Sequence, residues 1–157
     1  MTFQFSKESQ DKISVLLEKY PNKAAGLLPV LYIAQAQEGW VSDEAMAAVA
    51  KACDVPEVRA REVATFYTMY NKKPVGKYHI QVCTNISCSL MGSKHIYEYL
   101  SNKLGVKAGE TTKDKLFTLS KVECLGSCGT APMMQVNDQF YEDLTPEKVD
   151  TILDGFK

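Results

Sequence analysis

The chain has few of the features on which a self-contained enzyme depends. It contains two histidines and one tryptophan among 157 residues. It has no Gly-x-Gly-x-x-Gly or Walker loop, so neither kind of nucleotide-binding loop is expected. No Ser/His/Asp or paired-carboxylate arrangement can be placed, and neither histidine lies near an obvious nucleophile. Hydrolytic chemistry of its own is therefore not expected, and a nicotinamide or flavin would have to bind to another subunit.

Excess charge and long apolar runs are also missing. The formal net charge is −1, which excludes a strongly basic surface for nucleic acid. No run reaches the roughly 18 apolar residues of a membrane-spanning helix, and the nearest candidate, residues 24–36, contains Gly26 and Pro29. The N-terminus lacks the apolar core of a signal peptide. We expect a cytoplasmic protein with no nucleic-acid partner and no direct membrane insertion.

Cysteine is what the sequence does have, and four of its five cysteines form two short-range pairs. Cys83 and Cys88 are separated by four residues, and Cys124 and Cys128 by three. In a reducing cytosol such pairs more often bind metal or do redox work than form structural disulfides. Because the two pairs are far apart in sequence, they indicate one site assembled by the fold.

The spacing within the pairs favours an iron–sulfur cluster. Cysteine thiolates ligate both clusters and structural zinc. Zinc ribbons favour two residues between paired cysteines, whereas Cys-x4-Cys is also a local spacing of plant-type ferredoxins. The Cys-x-x-Cys of thioredoxin-like dithiols is absent. A [2Fe–2S] cluster is the favoured interpretation, with zinc, redox thiols or disulfides as alternatives.

The residues around the cysteines suit a cluster. Backbone amides of residues 84–87 and 125–127 are expected to donate hydrogen bonds to the sulfurs. Gly126 and Gly129 would let the backbone turn close to the cluster without a Cβ clash. Neither cysteine loop contains lysine or arginine, which indicates a low reduction potential. We expect an apolar shell made of Leu90, Met91, Leu125, Met133 and Met134.

The first half of the chain predicts a small helical bundle. Apolar residues at helical spacing predict helices over residues 7–20, with Ser6 as the cap, and 23–37, a third capped by Ser42, and a fourth near Pro56. The pair Asp54 and Glu57 has capping-box spacing for the fourth helix. The polar segment 71–76 marks a boundary. We therefore predict one domain over residues 1–74 and a second over 75–157.

The second half predicts strands alternating with helices. Strand 78–83 ends in the first cysteine pair, and strand 116–123 runs into the second. The order β-α-β-β-β-α predicts a small sheet with two helices. Its remaining predicted elements are helix 91–104, a polar loop over 107–114, strands 133–136 and 139–141, and a last helix capped by Thr145.

Four other features have less specific interpretations. Cys53 lies on an apolar helical face, so a buried hydrophobe is expected rather than a ligand. His79 on a strand and His95 on a helix are not expected to be ligands, because four cysteines complete the set. The segment from Val63 to Tyr70 is rich in aromatics, which are common in cores and also at interface centres. It is interpreted as core, with partner docking as the alternative.

The cysteine segments resemble a known family. Cys83-Thr-Asn-Ile-Ser-Cys88-Ser-Leu90, followed far downstream by Glu123-Cys-Leu-Gly-Ser-Cys-Gly-Thr-Ala-Pro132, is similar to the E subunits of bacterial NADH:quinone oxidoreductase, respiratory complex I, and to their mitochondrial counterpart, flavoprotein 2. The resemblance includes Leu27-Leu-Pro-Val-Leu31, Glu38-Gly-Trp-Val41 and Val63-Ala-Thr-Phe-Tyr67 and covers most of residues 10–157. One departure is Ser127, where many members carry Ala.

The resemblance implies a fold, a cofactor and a partner. The fold would be α+β, with residues 75–157 as a thioredoxin-like [2Fe–2S] ferredoxin domain after the helical bundle. Cys83 and Cys88 would ligate one iron of the cluster, and Cys124 and Cys128 the other. The cluster would exchange single electrons with the FMN of the flavin- and NADH-binding F subunit, in a translocase complex on the cytoplasmic face of the membrane. Because thioredoxin-like folds often carry a cis-proline here, Ala131-Pro132 is expected to form a constrained turn.

Three other functions remain open at this stage. Equivalent subunits occur in NAD-linked hydrogenases and formate dehydrogenases, so the parent complex is less certain than the module. A zinc-stabilised interaction module without a redox role belongs to another class. A free-standing ferredoxin is the third, although a diffusing carrier needs no additional docking domain.

Overall fold

The computed structural model describes residues 3–156, and the chain separates into two compact units, Met1–Pro74 and Val75–Lys157. All regular elements described in the first unit are helices. The second unit contains a five-stranded sheet and three α-helices. Within residues 3–156, no helix has both the length and the apolar character needed to cross a membrane.

Local capping explains where the helices of the first unit begin. The hydroxyls of Ser6 and Ser42 each accept a hydrogen bond from the backbone N–H three residues on, as the sequence predicts. Gly39 closes the second helix in the left-handed conformation, with φ of +81°. The helices are α1 (Lys7–Leu17), α2 (Leu27–Glu38), α3 (Asp43–Cys53) and α4 (Glu57–Phe66), with a 3₁₀ turn over Lys23–Gly26.

Three details of this unit differ from the prediction. The first helix ends at Leu17, well before Pro21. The second predicted helix divides into the 3₁₀ turn and α2, and Pro29 lies in the first turn of α2, where its missing N–H removes no intrahelical hydrogen bond. The predicted capping box is wrong: Asp54 ends α3 in the left-handed conformation, and Pro56 precedes α4 without a side-chain cap.

The core of the first unit is formed mainly by small and branched side chains. On α3, the buried face includes Met46, Val49, Ala50 and Cys53. On α4, however, the buried residues are Ala60 and Ala64, whereas Phe66 is 77% exposed. Of the segment from Val63 to Tyr70 that was predicted as core, Val63 and Tyr70 pack in the core and Phe66 does not. Tyr70, beyond the helix, is buried and its hydroxyl donates to the Leu28 carbonyl at 2.8 Å.

The second unit is built around its central strand. The strands run in the order β2-β3-β1-β4-β5, with β1 parallel to β3 and every other pair antiparallel. Two short elements were not predicted, the helix α5 and the strand β2. The elements are β1 (Tyr78–Cys83), α5 (Ile86–Leu90), α6 (Ser93–Leu104), β2 (Glu110–Thr111), β3 (Phe117–Val122), β4 (Met134–Val136), β5 (Gln139–Tyr141) and α7 (Pro146–Asp154).

One apolar cluster joins the sheet to α6 and α7. Ile80 and Leu119 on the parallel strands are fully buried, as are Leu100 of α6 and Val149 of α7. The Thr145 hydroxyl caps α7 by accepting from the Lys148 N–H, as predicted, and Pro146 occupies the first turn. This packing fixes the sheet edge at which β1 and β3 end.

Candidate metal centre

The sheet brings the two cysteine pairs to the same edge. Cys83, the last residue of β1, is paired with Val122, the last residue of β3. Because the two strands are parallel, the loops that follow them leave the sheet side by side. The backbone N–H of Thr84 donates to the Val122 carbonyl at 2.9 Å, and its hydroxyl donates to the same oxygen at 3.0 Å. These bonds fasten the start of the first loop to the end of β3.

The four thiols of these loops interact through hydrogen bonds and electrostatically. The Cys83 thiol is within hydrogen-bonding reach of the thiols of Cys88 and Cys124. Cys88 also interacts electrostatically with Cys128. All four are free thiols. Among residues 3–156, no three His, Cys, Asp or Glu side chains are arranged to hold a single metal ion. A binuclear cluster takes two ligands on each iron, and two cysteine pairs are the set it would need.

The two pairs differ in exposure. Cys83 and Cys88 are 3% and 2% exposed, and they pack against Ala131 and the fully buried Met133. Cys124 and Cys128 are exposed. The site therefore has a protected side and an open side.

Opposing effects act on the buried thiols. Burial raises the pKa of Cys83, but the backbone N–H groups of Asn85 and Leu125 and the neighbouring thiols outweigh it, so this pKa lies below its ordinary value. Burial raises the pKa of Cys88, and the adjacent Cys83 raises it further, against the N–H of Met133. Four thiol ligands with N–H donors directed at sulfur are the donor set that an iron–sulfur cluster requires.

The predicted amides are partly those observed. Asn85 and Leu125 lie in the predicted segments, whereas the N–H of Met133 comes from the approach to β4 and was not predicted. Only the pairing of β4 with β1 brings it to the site. Gly126 has φ of +80°, a conformation that favours glycine, and a Cβ on Gly126 or Gly129 would meet no atom within 4 Å.

The predicted apolar shell is wrong in three of its five members. Met133 is buried beside the first pair and Leu125 packs against it, as expected. Met134 belongs instead to the main core of the sheet, because adjacent residues of a strand point to opposite faces. Leu90 and Met91 are 81% and 61% exposed. The short helix α5 turns Cys88 inward and leaves these two outside.

One residue near the second loop escaped sequence reasoning. The hydroxyl of Ser127 donates to the carboxylate of Glu142, and the hydroxyl of Thr130 donates to the same oxygen at 2.6 Å. These two hydroxyls hold the pKa of Glu142 below its usual value. No motif in the sequence marks Glu142, because the contact depends on where β5 ends. The peptide bond between Ala131 and Pro132, in the same loop, is cis.

The remaining candidates lie outside this group of thiols. Cys53 is fully buried in the helical unit, where burial raises its pKa to about 11, as expected for a core residue. His79 lies on β1 with its ring nitrogen 2.8 Å from the Ser120 hydroxyl, and burial lowers its pKa. His95 is exposed on α6.

Three comparisons place the chain among known proteins. A family model described as thioredoxin-like [2Fe-2S] ferredoxin matches residues 13–157. The E subunit of NADH-quinone oxidoreductase from Rickettsia bellii is 49% identical over 99% of this chain and 95% of its own length. Mitochondrial NADH dehydrogenase [ubiquinone] flavoprotein 2 of Dictyostelium discoideum is 46% identical over 99% of this chain, which spans 64% of that protein.

A solved structure agrees in fold. An NAD+-reducing [NiFe]-hydrogenase in the H2-reduced state superimposes with a TM-score of 0.73 and 22% identity, over 85% of this chain and 22% of that one. At this identity the likeness concerns the fold alone.

The sheet and the paired-cysteine loops define a thioredoxin-like [2Fe–2S] ferredoxin, and the chain belongs to that family. Within the family it stands with the E subunits of NADH-quinone oxidoreductase. The predicted resemblance and the mixed fold class are thereby confirmed. The family indicates a [2Fe–2S] cluster, and its relatives indicate a place in an oxidoreductase of several subunits.

Proposed function

We propose that the chain is the electron-transfer subunit of an NADH-quinone oxidoreductase and that its four paired cysteines hold one [2Fe–2S] cluster. Cys83 and Cys88 would bind one iron, and Cys124 and Cys128 the other. The observation that carries the proposal is the convergence of both pairs at the ends of two adjacent parallel strands. The relatives that are 46–50% identical over nearly the whole chain support the same function.

Different residues of the chain have different roles at the site. When bound, the cluster supplies one-electron exchange with a flavin. Burial of Cys83 and Cys88 beside Met133 keeps water from one side. The N–H groups of Asn85, Leu125 and Met133 stabilise negative charge on the two sulfurs. Exposure of the second pair leaves the other side open to a partner.

The partner we propose is the flavin- and NADH-binding F subunit, on the cytoplasmic face of the complex. Homology to E subunits supports this choice, and the absence of a nucleotide-binding loop in this sequence agrees with it. FMN and NADH would then be held by the partner. An equivalent diaphorase subunit of an NAD-linked hydrogenase or formate dehydrogenase is the alternative parent, and the proteins that co-purify with this chain distinguish the two.

We also propose that residues 1–74 dock this chain to its complex. The aromatic segment of this unit divides: Tyr70 is core, whereas Phe66 and Tyr67 are exposed. These two line a cavity of about 740 Å³ together with Leu28, Val63 and other residues of the same unit. An exposed phenylalanine beside an apolar recess is typical of an interface.

The cluster is tested by anaerobic purification of the full chain with iron, sulfide and zinc assays and visible absorption. We expect two irons and two labile sulfides per chain. A colourless protein with one zinc and no sulfide would instead establish the interaction module without a redox role. Deleting residues 1–70 should leave the cluster spectrum intact and weaken assembly, and normal assembly of the truncated chain would refute the docking role.

A further inference from the structure

We propose that Glu142 is a positioning residue that holds the second cysteine loop, Cys124–Cys128, in its ligating geometry. The inference rests on the proposed function of the four cysteines. Glu142 follows directly after β5, and β5 is the strand farthest from β3 in the sheet order. Glu142 therefore connects the cysteine loop to the end of β5, whereas the loop itself begins at the end of β3.

The loop needs such a contact because it has little regular structure. Between the end of β3 at Val122 and the start of β4 at Met134, its regular structure is a 3₁₀ turn over Cys128–Thr130. The first pair, in contrast, lies at the end of β1 and inside α5. Backbone hydrogen bonds of a strand and a helix therefore hold Cys83 and Cys88, whereas Cys124 lies in no regular element and Cys128 begins the short 3₁₀ turn.

Glu142 connects the residues on both sides of Cys128 by hydrogen bonds, and its carboxylate with the Ser127 and Thr130 hydroxyls is called the clasp. One carboxylate oxygen accepts from the Ser127 and Thr130 hydroxyls, and the two hydroxyl oxygens are 2.8 Å apart. Each hydroxyl has one proton to donate, so an acceptor-only carboxylate satisfies both at once. Ser127 and Thr130 flank Cys128 on either side in sequence. The clasp therefore restricts the backbone that carries Cys128.

The backbone after Glu142 forms further hydrogen bonds with the segment after Cys128. The N–H of Asp143 donates to the Thr130 carbonyl at 2.8 Å, and the N–H of Leu144 donates to the Pro132 carbonyl at 2.9 Å. Leu144 is buried in the main core of the sheet. The Lys148 ammonium donates to the Glu142 carbonyl at 2.6 Å, which fixes this residue to α7. The clasp is thus anchored in packed structure.

Two variants of Glu142 distinguish its role in positioning the loop from the effect of its negative charge. Glu142→Ala removes the acceptor, so we expect a changed EPR spectrum of the reduced cluster and about tenfold faster cluster loss to a chelator. Glu142→Gln retains an oxygen that accepts hydrogen bonds but loses the negative charge. It should keep a spectrum close to the parent's and show a higher midpoint potential, because the net charge near a cluster sets its potential. Asp138→Asn, at the exposed turn between β4 and β5, is the control for charge alone.

The partners of Glu142 provide an independent test. Ser127→Ala with Thr130→Val removes both donors without placing a change on Glu142. Its EPR spectrum should match that of Glu142→Ala, and adding Glu142→Ala to it should change the EPR spectrum and the cluster-loss rate no further. If Glu142→Ala fails to fold, the donor-deleted variant compared with the parent and with Asp138→Asn decides the matter.

The outcomes distinguish this inference from the proposed function. A parent chain without iron and sulfide would overturn both. A parent with a cluster, together with Glu142→Ala and donor-deleted variants whose EPR spectra and cluster-loss rates equal those of Asp138→Asn, would overturn the positioning role alone. Changed spectra in both sets of variants, with the parent and Asp138→Asn alike, would support it.

Discussion

The two cysteine loops reach the same site by different means. The first is part of the regular structure: Cys83 ends a central strand, Cys88 lies in a helix, and both are buried. The second is an irregular loop whose cysteines are exposed, held by side-chain contacts with Glu142 and by backbone bonds to the segment after it. The first loop is therefore held by its own strand and helix, and the second by contacts with neighbouring residues.

This contrast indicates where the site tolerates change. Groups fixed by packed elements cannot shift without disturbing a core. Groups on an exposed loop can adjust when a ligand or a contact is altered. Substitutions in the first loop should therefore have larger effects than the corresponding ones in the second.

The greatest loss is expected at the proposed cysteine ligands. Cys83→Ser should abolish or strongly diminish the EPR signal and the iron content, because the end of β1 is fixed in the core and a serine oxygen is a poorer ligand for iron than a thiolate. Cys128→Ser should retain more cluster, with a changed spectrum, because the exposed loop can move to bring an oxygen ligand to the iron. Iron content and EPR after anaerobic reconstitution measure both.

Cys53→Ala is the matched control for these ligand variants. Cys53 is buried in the helical unit, so its substitution should leave the cluster content unchanged. Equal iron content in Cys83→Ser and Cys128→Ser would contradict the proposed contrast between the loops.

The next effect concerns packing beneath the first loop. Met133 is fully buried against Cys83 and Cys88, so Met133→Ala should lower the free energy of unfolding by about 2–5 kcal/mol. Leu125 is only partly buried, and Leu125→Ala should have a clearly smaller effect. Urea unfolding of the two variants against the parent measures the difference. A larger loss at Leu125 would show that the second loop has the tighter packing.

A smaller effect is expected from the backbone of the second loop. Gly126 has φ of +80°, so Gly126→Ala should lower stability by roughly 1 kcal/mol through backbone strain. Gly129 lies in the 3₁₀ turn without a positive φ, and an added Cβ meets no atom there. Gly129→Ala is therefore the control and should be close to neutral in the same unfolding assay. Equal losses would mean that φ is not the cause.

The weakest effects are two pH dependences, one from β1, which leads into the first loop, and one from Glu142, which contacts the second. The pKa of His79 on β1 is lowered by burial, so the unfolded chain takes up a proton near pH 6.5 while the folded chain does not. The unfolding free energy should fall as the pH drops below about 6.5, and His79→Gln should remove that fall. The measurement is a series of urea unfolding curves of the chain without its cluster.

Glu142 defines the second pH window. Its lowered pKa means that the unfolded carboxyl takes up a proton first, so its contribution is present above about pH 4.5 and is lost on further acidification. Glu142→Gln should reduce the slope in this lower window and leave the upper one unchanged. Asp114, Glu147 and Asp150, whose pKa values are also lowered, contribute to the same lower window. If His79→Gln and Glu142→Gln each abolished the same pH dependence, the two groups would not act independently.

Local signals predicted much of this fold. Ser6, Ser42 and Thr145 cap their helices as expected, since a cap depends on residues only three positions apart. Strand 78–83 matches the observed β1 because its apolar residues and its position before the cysteines are visible in the sequence. The cis bond at Pro132 agrees with the constrained turn expected there.

Tertiary contacts account for what sequence reasoning missed. The helix α5 is too short to show periodicity, and the strand β2 exists only through its pairing with β3. The inward face of α4 is made of alanines, which a search for large apolar residues overlooks. Glu142 becomes visible only when β5 has been placed in the sheet. The cysteine pairs could be found from their spacing, but not the groups that hold them.

The register of β1 against β3 has a consequence for chain length. Because Cys83 and Val122 are direct partners on parallel strands, the relation between the cysteine pairs is independent of how many residues join them. The connection between α6 and β3 contains a short polar stretch at the edge strand β2. Segments inserted there during evolution, or a tag inserted by design, would lengthen the crossover and leave the metal centre in place.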